Sequence, residues 1–256
     1  MKASRLQAVC ALLVLTMTAA PPCRSSEGSA VRILSVGEVC TESFQAFGGD
    51  VPRSGDKWSL LYEMVGQPGR VGVRIVSLVV TGKQAAMCNA AEISYQGANA
   101  GSEKPIAIIK NLEDMRSDAI ATVAVGVKLT PGKMGHTNWR IRNNSYRLIG
   151  AYEKRSEKMR AGGETTGSHY RFELETAGKR WVMCRQWMDA DGQIPAPVVV
   201  WAGDINGDGK LDLLLEEGNE HGSWWTLYVS NPNGLFPVPV STTSWGDWPG
   251  GPMDPA

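Results

Sequence analysis

Three carboxylates and one amide are crowded into nine residues near the end of the chain: Asp204, Asn206, Asp208 and Asp212. Calcium is a hard cation that takes about six to eight oxygen ligands, and side-chain oxygens at alternate positions of a curled backbone meet that demand. The backbone carbonyl of Lys210 would add a ligand, with its side chain pointing to solvent. Gly207 and Gly209 permit the left-handed conformations that such a curl requires. The sequence therefore predicts a Ca²⁺ site, in which a dication offsets the repulsion between the carboxylates.

The spacing follows the first half of an EF-hand loop, but the rest of the stretch differs from that motif. The twelfth position is Leu215, where an EF-hand has a bidentate Glu. The flanking segments are strand-like and read PVVVWAG and LDLLLEE. We therefore expect the ion to bind in a β-hairpin rather than between two helices.

The stretch AGDINGDGKLDLLL resembles the calcium hairpin of FG-GAP/VCBS-type repeats. These repeats occur in integrin-like propellers and in many exported bacterial proteins. The resemblance covers about residues 196–230 and is present as a single copy near the C-terminus. It implies that calcium binds to the side chains of Asp204, Asn206, Asp208 and Asp212, together with the carbonyl of Lys210.

The remaining chain consists mainly of short apolar runs bounded by turn residues, which is typical of strands. The segments KWSLLYEM, RVGVRIVSLVV, KPIAIIKNL, AIATVAVGVKL, HYRFELETAGKRWVMCRQW and SWWTLYVS are examples. Turns are expected near Asn143-Asn144 and at Ala177-Gly178, and a short helix within residues 40–47. We predict a mainly β protein with antiparallel sheets, arranged as a sandwich or a partial-propeller-like meander, with the calcium loop on a C-terminal β-hairpin.

The first twenty residues have the features of a signal peptide. Lys2 and Arg5 precede an apolar run, and Ala19-Ala20 suits cleavage after residue 20. That run is too short to span a membrane, and no later stretch qualifies as a transmembrane segment. We therefore expect a secreted or periplasmic protein. The expected divisions are a signal peptide at 1–20, a flexible leader at 21–30, an N-terminal β region at 31–160, a loop at 161–168, a C-terminal β meander at 168–242 and an irregular tail at 243–256.

The cysteines bear on disulfide pairing, and the net charge bears on the class of binding partner. An exported chain favours disulfides, and Cys88 has two candidate partners, Cys40 and Cys184, between which the sequence does not choose. Cys23 leaves lipidation open.

The 256 residues carry 26 basic and 26 acidic side chains, so no excess of positive charge points to nucleic acid as a partner.

Two classes of function remain open. The nine tryptophans include Trp224, Trp225 and Trp245 near the calcium hairpin, and their rings could stack on a glycan or contact a protein at the cell envelope. The first hypothesis is therefore a non-enzymatic binding or envelope-associated module in which calcium is structural. The alternative is a secreted hydrolase acting on polysaccharide or cell-wall material, which needs two converging carboxylates. Its candidate acids and bases are Glu173, Glu216 and Glu220.

Overall fold

The structure is a computed structural model that describes residues 31–40, 52–84, 89–97, 102–112, 115, 120–128, 135–158, 164–188, 196–219, 222–231 and 233–246. Within these ranges the chain forms fifteen β-strands and no helix, which confirms the mainly β class. Accordingly, no helix in this part of the chain could cross a membrane. The expected signal peptide and leader, and the short helix apart from residue 40, lie outside the described residues.

The strands follow one another as antiparallel partners in three sheets. Their bounds are β1 Arg32–Leu34, β2 Gly37–Cys40, β3 Lys57–Met64, β4 Val71–Gln84, β5 Asn89–Tyr95, β6 Glu103–Lys110, β7 Ala121–Lys128, β8 Gly135–Ile141, β9 Asn144–Lys158, β10 Glu164–Thr176, β11 Lys179–Met188, β12 Val198–Asp204, β13 Asp212–Asn219, β14 Gly222–Val229 and β15 Val238–Gly246. The six-stranded sheet has the order β1-β6-β3-β4-β5-β2, the four-stranded sheet β11-β10-β9-β8 and the five-stranded sheet β15-β14-β13-β12-β7.

The central strand of the five-stranded sheet, β13, has leucines buried on both faces. Leu213 and Leu215 of β13 pack into one hydrophobic cluster with the four-stranded sheet, and Leu214 packs into another with the six-stranded sheet. A strand that is buried on both faces has no polar side, which explains why β13 reads as a continuous run of leucines. The predicted calcium hairpin, β12–β13, therefore lies in the middle layer of the protein.

Two tight turns shape the four-stranded sheet. Ala177 and Gly178 both have positive φ, 48° and 72°, which confirms the turn expected there. The other turn is shifted by one residue from its expected place. Ile141 pairs with Asn144, so the two turn residues are Arg142 and Asn143, and it is Arg142 that has the positive φ, 49°.

Strand pairing crosses the expected division between an N-terminal and a C-terminal region. The expected loop at residues 161–168 lies largely within a hairpin, because β10 begins at Glu164, where it pairs with Lys158 of β9. Strand β7 also pairs with β12, far along the chain. Of the meander expected at 168–242, the consecutive neighbours β12, β13, β14 and β15 lie in one sheet, whereas β10 and β11 belong to the four-stranded sheet. Strand β15 continues to Gly246, into the segment expected to be irregular.

The cysteines that the structure describes give no support to a bridge at Cys184, which is a free thiol. The Cys88–Cys184 alternative is therefore not formed. Cys23 and Cys88 lie outside the described residues, so the Cys40–Cys88 alternative remains a prediction.

Candidate metal centre

The acidic stretch forms the connection between the two central strands β12 and β13, at residues 205–211. Gly207 and Gly209 have φ of 75° and 84°, the left-handed conformations that the sequence predicts. Ile205 and Leu211, at the two ends of the connection, are both fully buried in the core. The loop is therefore anchored at both ends, and its polar residues are held between these apolar ends.

Asp204, at the first position of the acidic stretch, is a buried carboxylate. Its side chain is only 3% exposed. The Oδ2 atom accepts a hydrogen bond of 2.9 Å from the backbone N–H of Gly209. The Oδ1 atom is buried and has no hydrogen-bond partner in the described structure. A buried carboxylate oxygen without a donor carries an uncompensated desolvation cost, so this position lacks a positive or hydrogen-donating group.

The side chains of Asn206 and Asp208 also accept hydrogen bonds from the backbone of the loop. Asn206 Oδ1 accepts from the N–H of Asp208 at 3.2 Å, and Asp208 Oδ1 accepts from the N–H of Lys210 at 2.8 Å. These bonds fix the backbone curl with one oxygen of each side chain. The second oxygen of Asp208, Oδ2, lies 2.9 Å from the hydroxyl of Ser230, whose single hydrogen can be donated either there or to Asp212 Oδ1.

Asp212 has a different environment, because both of its oxygens join the loop to neighbouring strands. Oδ2 accepts from the N–H of Ile205 at 2.6 Å. Oδ1 accepts from the N–H of Ser230 at 2.6 Å and from its hydroxyl at 2.7 Å. Burial raises the pKa of Asp212 to about 7, although the hydrogen bonds from Ser230 and Ile205 oppose the shift and the charge of Asp208 adds to it.

The Lys210 side chain is not directed to solvent, as the sequence had suggested. Its Nζ donates to the carbonyls of Asn231 and Gly234, both at 2.9 Å. The ammonium group satisfies two carbonyls in the connection between β14 and β15 and holds that connection against the loop. The predicted use of the Lys210 carbonyl as a ligand is separate from this contact and remains a prediction.

The turn between β8 and β9 covers the loop from the four-stranded sheet. Arg142 Nη2 donates to Gly207 O at 3.2 Å and lies 3.9 Å from Asp204 Oδ2. Asn144 Nδ2 donates to Gly209 O at 3.0 Å. The hydroxyl of Tyr146 accepts from the N–H of Leu211 at 3.2 Å. Sequence reasoning predicted a turn here but missed its contact with the loop, since these residues precede the loop by about sixty positions and carry no motif that links them to it.

The chemistry of the donor set fits a hard cation. Asp204 offers a charged oxygen without a donor, and Asn206, Asp208 and the loop carbonyls add oxygens of the type that calcium prefers. Among the described residues, no group of three His, Cys, Asp or Glu side chains is arranged to hold a metal ion. A cation here would therefore depend on the amide of Asn206 and on carbonyls as well as on carboxylates, while Asp212 also serves as an anchor.

The carboxylates proposed for hydrolysis are not brought together in the described structure. Glu173 is buried and paired with Arg171 at 2.7 Å and Arg180 at 3.5 Å, so both of its oxygens have cationic neighbours. Glu216 lies on β13 in a different sheet, and Glu220 lies outside the described residues. No observation favours an acid–base pair over the binding hypothesis.

The tryptophans expected to bind a ligand occupy different surroundings. Trp225 packs against the cluster between the five- and six-stranded sheets. Trp224 donates its Nε1 hydrogen to Glu217 Oε2 at 3.0 Å. Trp245 lies on β15 opposite Ser223, and its side chain is outside the described structure. Ligand binding by these three residues remains a prediction.

Comparison of the chain with protein-family models, with curated proteins and with solved structures finds no match. The resemblance to FG-GAP/VCBS-type repeats therefore depends on the residues of the β12–β13 loop alone.

Proposed function

We propose that the chain is an exported calcium-binding β protein of the FG-GAP/VCBS type, in which calcium is structural and the protein acts as a binding or envelope-associated module. The observation that carries the calcium assignment is the buried Asp204 Oδ1, which has no hydrogen-bond partner in the described structure. It lies in a loop whose side-chain spacing and two left-handed glycines suit a curl of oxygens around an ion.

The contacts of the loop explain why calcium would be structural. Asp208 and Asp212 are joined to Ser230 after β14, and Arg142 and Asn144 join the loop to the four-stranded sheet. Calcium that fixes the loop would therefore strengthen contacts among β12, β13, β14 and the β8–β9 turn. Among the described residues, Arg142 supplies one guanidinium charge beside the three carboxylates, and a dication would supply the balance.

The binding role is proposed for an exported protein, with a glycan or a protein of the cell envelope as the partner. Its support is chemical: aromatic residues are concentrated on β14 and β15 near the calcium hairpin, and the candidate acid Glu173 is engaged in ion pairs with Arg171 and Arg180. Export is supported by the features of residues 1–20. Mass spectrometry of the protein from the culture medium or periplasm tests this part, and a retained N-terminal segment would contradict cleavage after residue 20.

The calcium assignment is tested by thermal unfolding of the wild type and Asp208→Ala, each in about 5 mM calcium and in excess chelator, because extracellular calcium modules bind at about 10⁻⁴–10⁻³ M. Calcium should raise the melting midpoint of the wild type and leave that of Asp208→Ala unchanged. Asp56→Asn removes a carboxylate from a turn beside β3 and is expected to keep the calcium response. Equal midpoints of the wild type in calcium and chelator would reject the site.

A further inference from the structure

A groove of about 550 Å³ lies at one end of the four-stranded sheet, beside the β8–β9 and β10–β11 turns. Its polar lining includes Asn138, Arg140, Ser145, Arg147 and Glu175. This volume is within the range of about 300–1,000 Å³ that is usual for small-molecule sites. The groove is therefore large enough for a small ligand or for one residue of a larger one.

Strand register places these polar residues on the same face of the sheet. Arg147 pairs with Asn138 of β8 and with Glu175 of β10. Arg140 pairs with Ser145. Side chains of directly paired residues project to the same side of a sheet, and residues two positions apart share a face. Asn138, Arg140, Ser145, Arg147 and Glu175 therefore face the same way.

The opposite face of the same strands belongs to the core. Trp139, Tyr146 and Leu148 alternate with the polar residues and pack against the five-stranded sheet. Trp139 and Tyr146 also line the groove, which therefore combines polar residues of the outer face with two aromatic residues that belong to the core.

The carboxylates on the polar face already have cationic partners. Arg180 is 2.9 Å from Glu175 and 3.5 Å from Glu173, and Arg171 is 2.7 Å from Glu173. Two arginines and two glutamates therefore balance one another. The charges of Arg140 and Arg147 are additional to this balanced set.

Neither of these two arginines has a carboxylate partner within the described structure. Arg140 donates its Nε hydrogen to the carbonyl of Arg142 at 3.1 Å. Arg147 has a buried Nε atom with no hydrogen-bond acceptor among the described residues. A donor on a cation that is hidden from water and lacks an acceptor costs free energy. The charge of Arg147, which lines the groove, is therefore not offset by any contact among the described residues.

We propose that this groove is an oxyanion-binding site, in which Arg140 and Arg147 hold a carboxylate or phosphate group of a small ligand. Guanidinium groups bind both kinds of oxyanion through paired, charge-assisted hydrogen bonds. Asn138 and Ser145 supply neutral polar groups for hydroxyls next to the anion, as in an acidic sugar. The inference gives the proposed binding role a ligand chemistry, and it stands whether or not the β12–β13 loop binds calcium.

The test is calorimetric titration of the full chain at low salt with two separate probes, glucuronate and inorganic phosphate, and with glucose as the neutral control. Saturable binding of glucuronate alone identifies a carboxylate site, and binding of phosphate alone identifies a phosphate site. Binding of both supports a general oxyanion site. Absence of saturable binding of either probe up to about 10 mM, equivalent to a very weak complex, overturns the proposal.

Variants link the binding to the groove. Arg147→Gln and Arg140→Gln should each weaken binding about tenfold, because each removes a charge-assisted contact. Glu175→Gln should strengthen it, since a neighbouring negative charge is removed. Arg70→Gln, in the turn before β4, serves as the matched control and should bind like the wild type. Wild-type affinity in both groove variants, with unchanged circular dichroism, would overturn the proposal.

Discussion

Asp212 and Ser230 are joined by two hydrogen bonds to the same carboxylate oxygen. Asp212 Oδ1 accepts from the backbone N–H of Ser230 at 2.6 Å and from its hydroxyl at 2.7 Å. The pair links the first residue of β13 to the residue after β14, and the other oxygen of Asp212 holds the N–H of Ile205. Asp212 is therefore a structural anchor of the middle sheet as well as a predicted calcium ligand.

Replacing Asp212 should destabilise the protein even without calcium. Asp212→Ala leaves the buried backbone N–H groups of Ile205 and Ser230 without their acceptor, while the Ser230 hydroxyl can still donate to Asp208 Oδ2. We expect this loss to lower the free energy of unfolding by about 2–4 kcal/mol. Urea unfolding in excess chelator measures the change. Asp208→Ala, whose partners are less buried, is the matched control and should lose less than half as much. Equal losses in the two variants would contradict the anchoring role.

The local pattern of the sequence predicts the strands well. The segment KWSLLYEM coincides with β3, and the segment HYRFELETAGKRWVMCRQW lies within the β10–β11 hairpin. The loop glycines also have the predicted left-handed φ. Each of these features depends on side chains a few residues apart, so the periodicity of apolar residues and the identity of turn residues are enough to predict it.

The contacts around the loop could not be predicted in the same way. The pairing of β7 with β12 and the approach of Arg142 to Gly207 join residues far apart in the chain. No local pattern encodes which distant strands become neighbours. The Lys210 side chain is a similar case, because its acceptors are carbonyls of a later connection and carbonyls are present at every residue.

Asp204→Asn should separate the stability of the empty loop from its affinity for calcium. The substitution retains an oxygen for the N–H of Gly209 and removes a negative charge that is 3% exposed. In chelator, the variant should melt at or above the wild-type midpoint because less charge is buried and repulsion falls. In calcium, the melting midpoint of the variant should equal its midpoint in chelator, since a principal ligand is weakened. A wild-type calcium shift in this variant would exclude Asp204 as a ligand.

Gly209 is expected to tolerate no side chain, for two separate reasons. Its φ is +84°, and a Cβ atom would lie 2.8 Å from Arg142 Cδ. Gly209→Ala should therefore lower the free energy of unfolding by about 1–2 kcal/mol from the backbone conformation, with a further loss from the contact. Urea unfolding of this variant in chelator measures the sum.

Two further variants divide that loss. Gly178→Ala has the same backbone problem, with φ of +72° and no atom within 4 Å of the new Cβ, so it reports the conformational cost alone. Arg142→Ala in combination with Gly209→Ala removes the contact. The double variant should show a coupling of at least about 0.5 kcal/mol. Additive losses would mean that the β8–β9 turn does not press on the loop.

Glu217 is a partly buried carboxyl between the four- and five-stranded sheets. Its Oε2 accepts from Trp224 Nε1 at 3.0 Å. The other groups that bear on it are the thiol of Cys184 and the phenol of Tyr228, and its Oε1 has no well-aligned hydrogen bond among the described residues. Burial raises the pKa of Glu217 to about 7, although the contacts with Trp224 and Cys184 oppose the shift.

The raised pKa gives a definite sign to the effect of pH. Between the unfolded value near 4.5 and the folded value near 7, the folded protein holds a proton that the unfolded chain releases. Stability from this group is therefore complete at low pH and is lost as the pH rises from about 5 to about 8, by at most about 3 kcal/mol. Glu217→Gln mimics the protonated form and keeps an acceptor for Trp224. Urea unfolding in chelator gives the free energy of unfolding at each pH, and this free energy should fall less steeply with pH in the variant than in the wild type. Asp212 titrates in both proteins and so does not account for the difference. Parallel curves would rule out a raised pKa at Glu217.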